Sequence, residues 1–375
     1  MRLIYIASAR IPTEKAHGLQ IMKMCEALAG AGAEIELWTA RRESSVKSDP
    51  FAYYGLKARF PIRRFFVLDW FWLPRYLGFG LFELTFALGI LAAAALRKDE
   101  TVYYSRDIMS AAMLSLAGKK IYLELHDIPR SLAGLRLVWK RITGMVAISS
   151  GIAAALEKKG FSSSKIKVLR DGFDASLFRS LPKEEARRLL ELPAMMRIVI
   201  YCGSAEPWKG VYTLLGAART FKGEAEFYFI LAGDKKLAED FKRKAEKIPH
   251  VKILMQRPHS EIPMWLAAAD VAVIPNLPGK EISRLYTSPL KLFEAMAAGK
   301  PIVASRLPSI TEILNDNNSF LFEAGDPVSL ASTVKEALRD IERASARGNM
   351  AMSKSVNYSW AARAGELVNF IREKA

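Results

Sequence analysis

Cysteine and histidine are scarce in this chain of 375 residues, which has two cysteines and four histidines. Cys25 and Cys202 lie far apart in apolar segments, so they form neither a metal-binding nor a redox pattern. A reducing compartment is the simplest interpretation, and we predict a cytoplasmic protein. The scattered histidines form no cluster of metal ligands, and the first eight residues are more typical of a strand than of a signal peptide.

The Gly-x-Gly-x-x-Gly fingerprint of dinucleotide-binding units is also absent. A strand at Leu3–Ile6, a helix over residues 18–29 and a strand at Glu34–Thr39 nevertheless form a βαβ opening, which predicts a parallel sheet. A hydrophilic break at residues 181–185 precedes a second alternation that begins with Ile198–Cys202. We therefore predict an α/β protein with domains at 1–181 and 182–355, followed by a terminal helical segment at 356–375.

Acidic residues are too few to balance the basic ones, and the formal net charge is +16. Most of this excess lies in residues 1–182. It predicts an anionic partner, which could be nucleic acid, a membrane surface or an acidic acceptor. No nucleic-acid recognition motif accompanies the charge, so we predict no nucleic-acid partner.

Residues 60–96 are the most unusual region because bulky aromatic side chains alternate with arginines and a long apolar run follows. Three interpretations compete. A transmembrane helix has sufficient length, but Glu83 would be costly there. A buried helix is the second interpretation, and peripheral contact with a membrane, through side chains such as Trp70, Arg63 and Arg64, is the third. The last two can hold for different parts of the segment.

A second unusual stretch, residues 286–305, predicts a nucleotide site. Ser288 suits an N-cap and Pro289 the first helical position, so a helix should begin here with free backbone N–H groups that attract phosphate. Glu294 lies within this otherwise apolar helix, where a carboxylate can accept hydrogen bonds from two ribose hydroxyls. The alternative is an ordinary helix with a solvated glutamate.

The sequence from Ser288 to Ser305, SPLKLFEAMAAGKPIVAS, closely resembles the donor-binding signature of the retaining glycosyltransferases of family 4 (group 1). The resemblance implies that Glu294 binds the donor ribose and that the backbone at Ser288, Pro289 and Leu290 receives the diphosphate, with Thr287 nearby. One departure stands out, because the first acid of the family's acidic pair would fall at Tyr286.

Two further segments match donor contacts of the family. The turn from Gly203 to Gly210 resembles its glycine-rich loop, and Lys209 matches a lysine that balances the diphosphate leaving group. The loop's usual arginine is replaced by Ser204. The segment with Gln256 and Arg257 falls where the family holds the nucleotide base, mainly through backbone groups.

In the N-terminal half, the resemblance implies contacts to the acceptor and the sugar. His17 and Gly18 match the position of a first loop that faces the acceptor, and Arg106 and Arg130 are further candidate acceptor contacts. His126 lies in a Glu-x-His-Asp segment similar to one of the family, in which a histidine approaches the donor sugar.

The resemblance implies the GT-B fold, with two Rossmann-like domains facing across a cleft and a terminal helix that crosses back to the first domain. It implies transfer of a sugar from a nucleoside diphosphate donor, UDP or GDP, to a hydroxyl of a glycan or lipid-linked acceptor, with retention. It also implies no metal and no cofactor, and a role in cell-surface polysaccharide or glycolipid synthesis, on the cytoplasmic face of the membrane.

Two other functions stay open. One is a nucleotide-sugar epimerase of the same fold; a phosphorylase would need a pyridoxal-type lysine site, which we cannot place. The other is a catalytically silent subunit that only binds a nucleotide sugar, because the acid at Tyr286 and the arginine at Ser204 are missing.

Overall fold

The computed structural model describes residues 1–70, 75–97, 99–129, 136–178 and 181–374. The predicted contact Arg130 and four residues of the unusual segment, 71–74, therefore lie outside the described residues. The chain divides into two compact units. The first combines Met1–Arg170 with Trp360–Ala375, and the second is Asp171–Ser359.

The first unit is built on a seven-stranded parallel sheet in the order β3-β2-β1-β4-β5-β6-β7. Its strands are β1 (Arg2–Ala7), β2 (Glu34–Ala40), β3 (Ile62–Phe65), β4 (Thr101–Ser105), β5 (Ile121–Leu125), β6 (Gly144–Ala147) and β7 (Ile166–Val168). The helices between them are α1 (Ala16–Gly30), α2 (Pro50–Tyr53), α3 (Arg75–Ala95), α4 (Ile108–Leu116), α5 (Arg136–Trp139) and α6 (Ser150–Lys158).

The second unit is built on a six-stranded parallel sheet in the order β10-β9-β8-β11-β12-β13. Its strands are β8 (Ile198–Ser204), β9 (Glu226–Ala232), β10 (Val251–Leu254), β11 (Val271–Ile274), β12 (Ile302–Ser305) and β13 (Phe320–Phe322). Its helices are α7 (Lys183–Leu189), α8 (Val211–Ala218), α9 (Lys235–Ala245), α10 (Ile262–Ala268), α11 (Leu290–Ala297), α12 (Pro308–Thr311), α13 (Pro327–Arg339) and α14 (Ile341–Ser355). Two parallel sheets with intervening helices confirm the predicted α/β class.

The last helix, α15 (Trp360–Lys374), is part of the first unit, where it packs against α1. The ring of Phe370 lies 5.7 Å from that of Tyr122 on β5. Gly144 leaves room for this contact, because a Cβ there would lie 2.8 Å from the Tyr122 ring and 3.0 Å from the Phe370 ring. The helix is therefore fixed to the sheet by aromatic packing.

The boundary between the units lies earlier in the chain than the expected division after residue 181. The second unit begins at Asp171, whose backbone N–H donates to Ser288 Oγ at 2.8 Å. The backbone N–H of Phe173 donates to the carbonyl of Tyr358 at 3.0 Å. These long-range bonds tie residues 171–173 to the second unit, and no local sequence signal marks them.

Helix α3 contains the apolar segment Leu77–Ala95, whose length and mean hydropathy of 1.9 would suit a membrane span. A third of that segment is buried, including Phe86 and Ile90, whereas Phe79 and Leu88 are exposed. The Glu83 side chain shares a hydrogen bond with Asp107, and burial, with the Asp107 charge, raises the pKa of Glu83 to about 7. One face of α3 is thus core and another is an exposed apolar surface.

Candidate donor site

The predicted donor residues lie on the loops that follow the C-terminal ends of the strands in the second unit. The loop after β8 carries Lys209, the loop after β10 carries Gln256 and Arg257, and the loop after β11 leads to α11. Gln256 and Arg257 are both exposed. Open parallel sheets bind ligands at this edge, so the topology places these segments where a nucleotide can reach them.

The loop after β8 packs closely on the loop after β11. The backbone N–H of Leu277 donates to the carbonyl of Trp208 at 2.9 Å. Gly210 has a left-handed backbone with φ of 75°, and a Cβ there would lie 1.7 Å from the carbonyl oxygen of Pro275. Only glycine satisfies both conditions, because a side chain would be strained and would collide with the backbone. Helix α8 begins directly after this glycine.

Lys209, the predicted partner of the diphosphate, is half-buried beside Trp208. Its Nζ lies 3.8 Å from the centroid of the indole ring, a distance suited to a cation–π contact. Burial lowers the pKa of Lys209 to about 8, and the nearby carboxylate of Glu206 opposes this effect. A lysine with this pKa can be neutral or charged near physiological pH, and an arriving anion would favour the charged form.

Helix α11 begins at Leu290, and Pro289 occupies the N-cap position without a side-chain hydrogen bond. The prediction that Ser288 is the N-cap is wrong. Its hydroxyl instead accepts a hydrogen bond from the backbone N–H of Asp171. Thr287 and Ser288 are both buried. Pro289 supplies no side-chain cap, so no N-cap side chain occupies the amides of the first turn, as an anion site requires.

Glu294 is buried, with an exposed fraction of 8%. Its Oε1 lies 2.7 Å from Nε2 of His259, which follows the β10 loop. The alternative of a solvated helix glutamate is therefore wrong. The carboxylate is held in place by an imidazole that the sequence did not single out.

Tyr286, at the place of the missing acid, is buried at the end of a π-helical turn over Ile282–Tyr286. Gly203 and Ser204 lie at the end of β8, where the Tyr201 hydroxyl donates to the Ser204 carbonyl at 2.8 Å. A Cβ at Gly203 would approach the Tyr201 hydroxyl to 2.7 Å, so the glycine is needed for close packing.

The first unit gathers its own polar cluster around Glu124, the last residue but one of β5. Its carboxylate bonds to Arg363 Nη2 at 3.0 Å, to His126 Nε2 at 2.5 Å and to the Tyr104 hydroxyl, and Arg106 Nε lies 3.6 Å away. Burial alone would raise the pKa of Glu124, but Arg363, His126 and Arg106 lower it well below its usual value. The carboxylate is therefore charged, and it orients the His126 ring.

His17 and Gly18 lie at the start of α1, on the same unit. Burial, and then the charge of Arg106, lower the pKa of His17 to about 4, so it is neutral at physiological pH. A Cβ at Gly18 would lie 2.2 Å from the Tyr54 hydroxyl, which gives this glycine a packing role. Contacts of His17, Gly18, Arg106 and Arg130 to an acceptor stay predictions.

Sequence reasoning missed two residues of the second unit, His259 and Lys291. His259 lies 35 positions before its partner Glu294, and no pattern joins them. Lys291 has a signal in the sequence, because a lysine in the first turn of an apolar helix is unusual. Among the described residues, no group of three or more His, Cys, Asp and Glu side chains could hold a metal ion.

Comparison with known protein families gives a match to the model of glycosyl transferases group 1 over residues 196–340, within the second unit. Among similar curated proteins, a D-inositol 3-phosphate glycosyltransferase of Thermobispora bispora is 26% identical over 223 residues, which cover 56% of this chain and 50% of that protein. A phosphatidyl-myo-inositol mannosyltransferase of Mycobacterium leprae is 28% identical over 62% of this chain and 60% of its own. The chain thus spans about half the length of the first of these relatives.

Similar solved structures cover the whole chain. HepE from Anabaena, in complex with UDP, has a TM-score of 0.77 at 18% identity, with 100% of both chains covered. Sucrose-phosphate synthase from Thermosynechococcus elongatus has a TM-score of 0.77 at 18% identity, over 99% of this chain and 98% of that one. These likenesses confirm the predicted GT-B fold, and the family match confirms the resemblance to group 1 glycosyltransferases.

Proposed function

We propose that this protein transfers a sugar from a nucleoside diphosphate sugar to a hydroxyl of an acceptor, with retention of anomeric configuration. The observation that carries the proposal is the buried carboxylate of Glu294, held by His259 on a helix whose start has no side-chain cap. The printed names of similar proteins support it, because they include an inositol phosphate glycosyltransferase and a mannosyltransferase. UDP and UDP-glucose in the HepE structures support a nucleoside diphosphate donor, UDP or GDP.

On this proposal, the donor-site residues of the second unit have the following roles. Glu294 accepts hydrogen bonds from the two ribose hydroxyls. The amides at the start of α11, together with the Lys209 ammonium, receive the diphosphate. The glycosidic bond breaks as negative charge develops on the leaving diphosphate, and these positive groups stabilise that charge in the transition state.

In the first unit, we propose that His126 acts on the donor sugar. Nε2 of His126 donates a hydrogen bond to the Glu124 carboxylate, so in a neutral ring Nδ1 is the hydrogen-bond acceptor. The carboxylate thereby fixes the tautomer and the ring orientation. The leaving phosphate can accept the proton of the incoming hydroxyl, so this route requires no metal, no cofactor and no carboxylate nucleophile.

We also propose that the acceptor is lipid-linked or membrane-bound, and that the protein is cytoplasmic and touches the membrane from that side. The exposed apolar side chains of the region 60–96 support this: Phe66 is 71% exposed, Phe79 is 60% exposed and Leu88 is 49% exposed. Arg63 and Arg64 are exposed on the neighbouring strand β3. Apolar side chains beside cationic ones suit the headgroup zone of an anionic bilayer.

A second candidate, a silent subunit that binds a nucleotide sugar, is favoured by one observation. Tyr286 fills the place of the acid that would contact the donor sugar, and it is buried. Such a protein would keep the nucleotide contacts of Glu294 and lose turnover.

The test is to incubate the protein with UDP-glucose, GDP-mannose and ADP-glucose, each with and without a glycolipid extract. Release of nucleoside diphosphate that depends on the extract, and is lost in Lys209→Met, supports the transferase, and the anomeric configuration of the product tests retention. Consumption of donor without extract, with a C2-epimeric sugar nucleotide as product, identifies an epimerase. Donor binding without any consumption supports the silent subunit.

A further inference from the structure

Lys291, the second residue of α11, has an ammonium group that is enclosed by protein, although part of its side chain reaches the surface. Among the described residues, Nζ of Lys291 has no hydrogen-bond partner. Three N–H donors shielded from water and left unpaired are unfavourable in a folded protein. An ammonium in this state indicates a ligand that is absent from the structure.

Within the part of the chain that the structure describes, no carboxylate contributes to the electrostatics of the Lys291 ammonium. Nζ lies 4.6 Å from the centroid of the Tyr201 ring, a cation–π contact. Burial, and then the positive charge of Lys209, lower the pKa of Lys291 well below its usual value, and only Cys202 acts in the opposite direction. Lys209, on the loop after β8, and Lys291, on α11, are therefore close enough to affect each other electrostatically, and among the described residues no carboxylate is a cause of the Lys291 shift.

Tyr201 connects Lys291 to the turn in which an arginine is missing. Its ring lies beside the ammonium, and its hydroxyl donates to the carbonyl of Ser204 at 2.8 Å. Tyr201 therefore contacts both Lys291 and Ser204, and Ser204 is the position where the resemblance places an arginine. Lys291 also lies one position after the first residue of α11, where the uncapped amides are.

We propose that Lys291 is the second cation of the diphosphate site and takes the place of the arginine that Ser204 does not supply. Lys209 and Lys291 would then each contribute one positive charge to the two phosphates of the donor. This assignment rests on the proposed function, because it needs a nucleoside diphosphate at the start of α11. It explains why an ammonium is enclosed there without a partner.

The test is calorimetric titration of the full-length protein with UDP, GDP and ADP and with the matching monophosphates. We expect Lys291→Met to weaken the diphosphate that binds best by about tenfold or more, the effect of losing a hydrogen bond to a charged group. The monophosphate should change by less than about threefold on the same scale. The control is Lys300→Met, which removes a second shielded ammonium beyond the other end of α11, one that donates to the carbonyl of Ala267. Lys300→Met should bind the diphosphate as wild type does.

Two results separate the failure of this assignment from the failure of the donor site. Wild-type affinity for the diphosphate in Lys291→Met overturns the assignment and leaves the donor site intact. No binding of any of the three diphosphates to the wild-type protein overturns the donor site and the assignment together. The ligand-free Lys291→Met protein should melt at or above the wild-type temperature, because it loses a shielded amino group that has no hydrogen-bond partner among the described residues. A lower melting temperature would show a structural role and contradict the assignment.

Proton uptake on binding supplies a second readout, which is measured first on the wild-type protein. A bound diphosphate should raise the lowered pKa of both lysines, so binding at pH 8 should take up protons, seen as a dependence of the binding heat on the buffer. The titratable groups that face Lys291 are Tyr201, Cys202 and Lys209. Proton uptake that persists in Lys209→Met and disappears in the double variant with Lys291→Met is the expected result. Its complete loss in Lys209→Met alone would contradict a charged Lys291.

Discussion

Arg363 on the last helix and Glu124 on strand β5 form an ion pair at 3.0 Å, with side chains that are 3% and 2% exposed. The two residues lie 239 positions apart. Arg363 also donates to the backbone carbonyls of Leu169 and Arg170, where the first unit ends. The terminal helix is therefore connected electrostatically to the carboxylate that orients His126.

Replacement of Arg363 should destabilise the first unit strongly. Arg363→Met leaves the buried Glu124 carboxylate without its nearest charge, and such a loss costs about 3–5 kcal/mol. We expect this decrease in the free energy of unfolding by denaturant titration. The double variant with Glu124→Gln should recover part of the loss, because the carboxylate is then neutral.

The matched control is the exposed ion pair between Lys167 and Glu366 at 3.5 Å. This pair also connects the sheet to the last helix, but from β7 instead of β5. Lys167→Met should cost less than about 1 kcal/mol, as exposed pairs do. Equal losses for Arg363→Met and Lys167→Met would show that burial of the Glu124 pair has no energetic consequence.

Gly210→Ala should abolish nucleoside diphosphate binding. A Cβ at Gly210 would collide with the carbonyl of Pro275, so the loop that carries Lys209 must shift from its place against the loop after β11. We expect a loss of about 2 kcal/mol or more in the stability of the second unit. Gly365→Ala, in open space on the last helix, should leave both properties unchanged. Intact binding in Gly210→Ala would mean that the loop geometry is not needed.

The pKa of Lys209 predicts a specific pH dependence. The folded protein holds this lysine at a pKa of about 8, below the ordinary value of 10.5, so the folded state binds fewer protons between those pH values. Its contribution to stability therefore rises with pH across that window, whereas diphosphate affinity falls because the charged form is lost. We expect loss of the Lys209 charge alone to raise the dissociation constant of the diphosphate by up to about tenfold per pH unit above pH 8, as one required proton would give. A constant affinity from pH 7 to 9.5 would contradict this role.

The exposed face of α3 should bind anionic membranes. The double variant Phe79→Ser with Leu88→Ser removes two exposed apolar side chains and should reduce sedimentation with vesicles of phosphatidylcholine and phosphatidylglycerol by about tenfold or more. Val328→Ser, which changes a 73% exposed residue of the second unit, is the control and should bind as wild type. Failure of the wild-type protein to bind these vesicles would exclude the membrane contact.

The fold could be predicted from the sequence because its signals are local. Alternation of short apolar runs with helical segments gives the parallel sheets, and the stretch around Glu294 predicted a helix at a sheet edge. Ser288 shows where local reasoning fails. Its residue type suits an N-cap, but its hydroxyl is used by the backbone of Asp171, 117 positions away.

The missed parts of the site depend on tertiary contacts. His259 holds Glu294 only because the loop after β10 passes over α11, and Arg363 reaches Glu124 only because the last helix returns to the first unit. The sequence near Glu294 and near Glu124 contains no signal that predicts either partner. The shielding of Lys291 likewise depends on a tertiary contact, because Tyr201 on β8 packs against a lysine of α11.

The most direct test of the donor site is a thermal-shift measurement with UDP, GDP and ADP on the wild-type protein and on Glu294→Ala and Lys209→Ala. A ligand present at 100 times its dissociation constant stabilises the native state by about 2.7 kcal/mol, enough to raise the melting temperature measurably. We predict that one nucleoside diphosphate stabilises the wild-type protein and that both variants lose most of this shift. No shift with any of the three in folded protein, or equal shifts in the Glu294→Ala variant, would contradict the account.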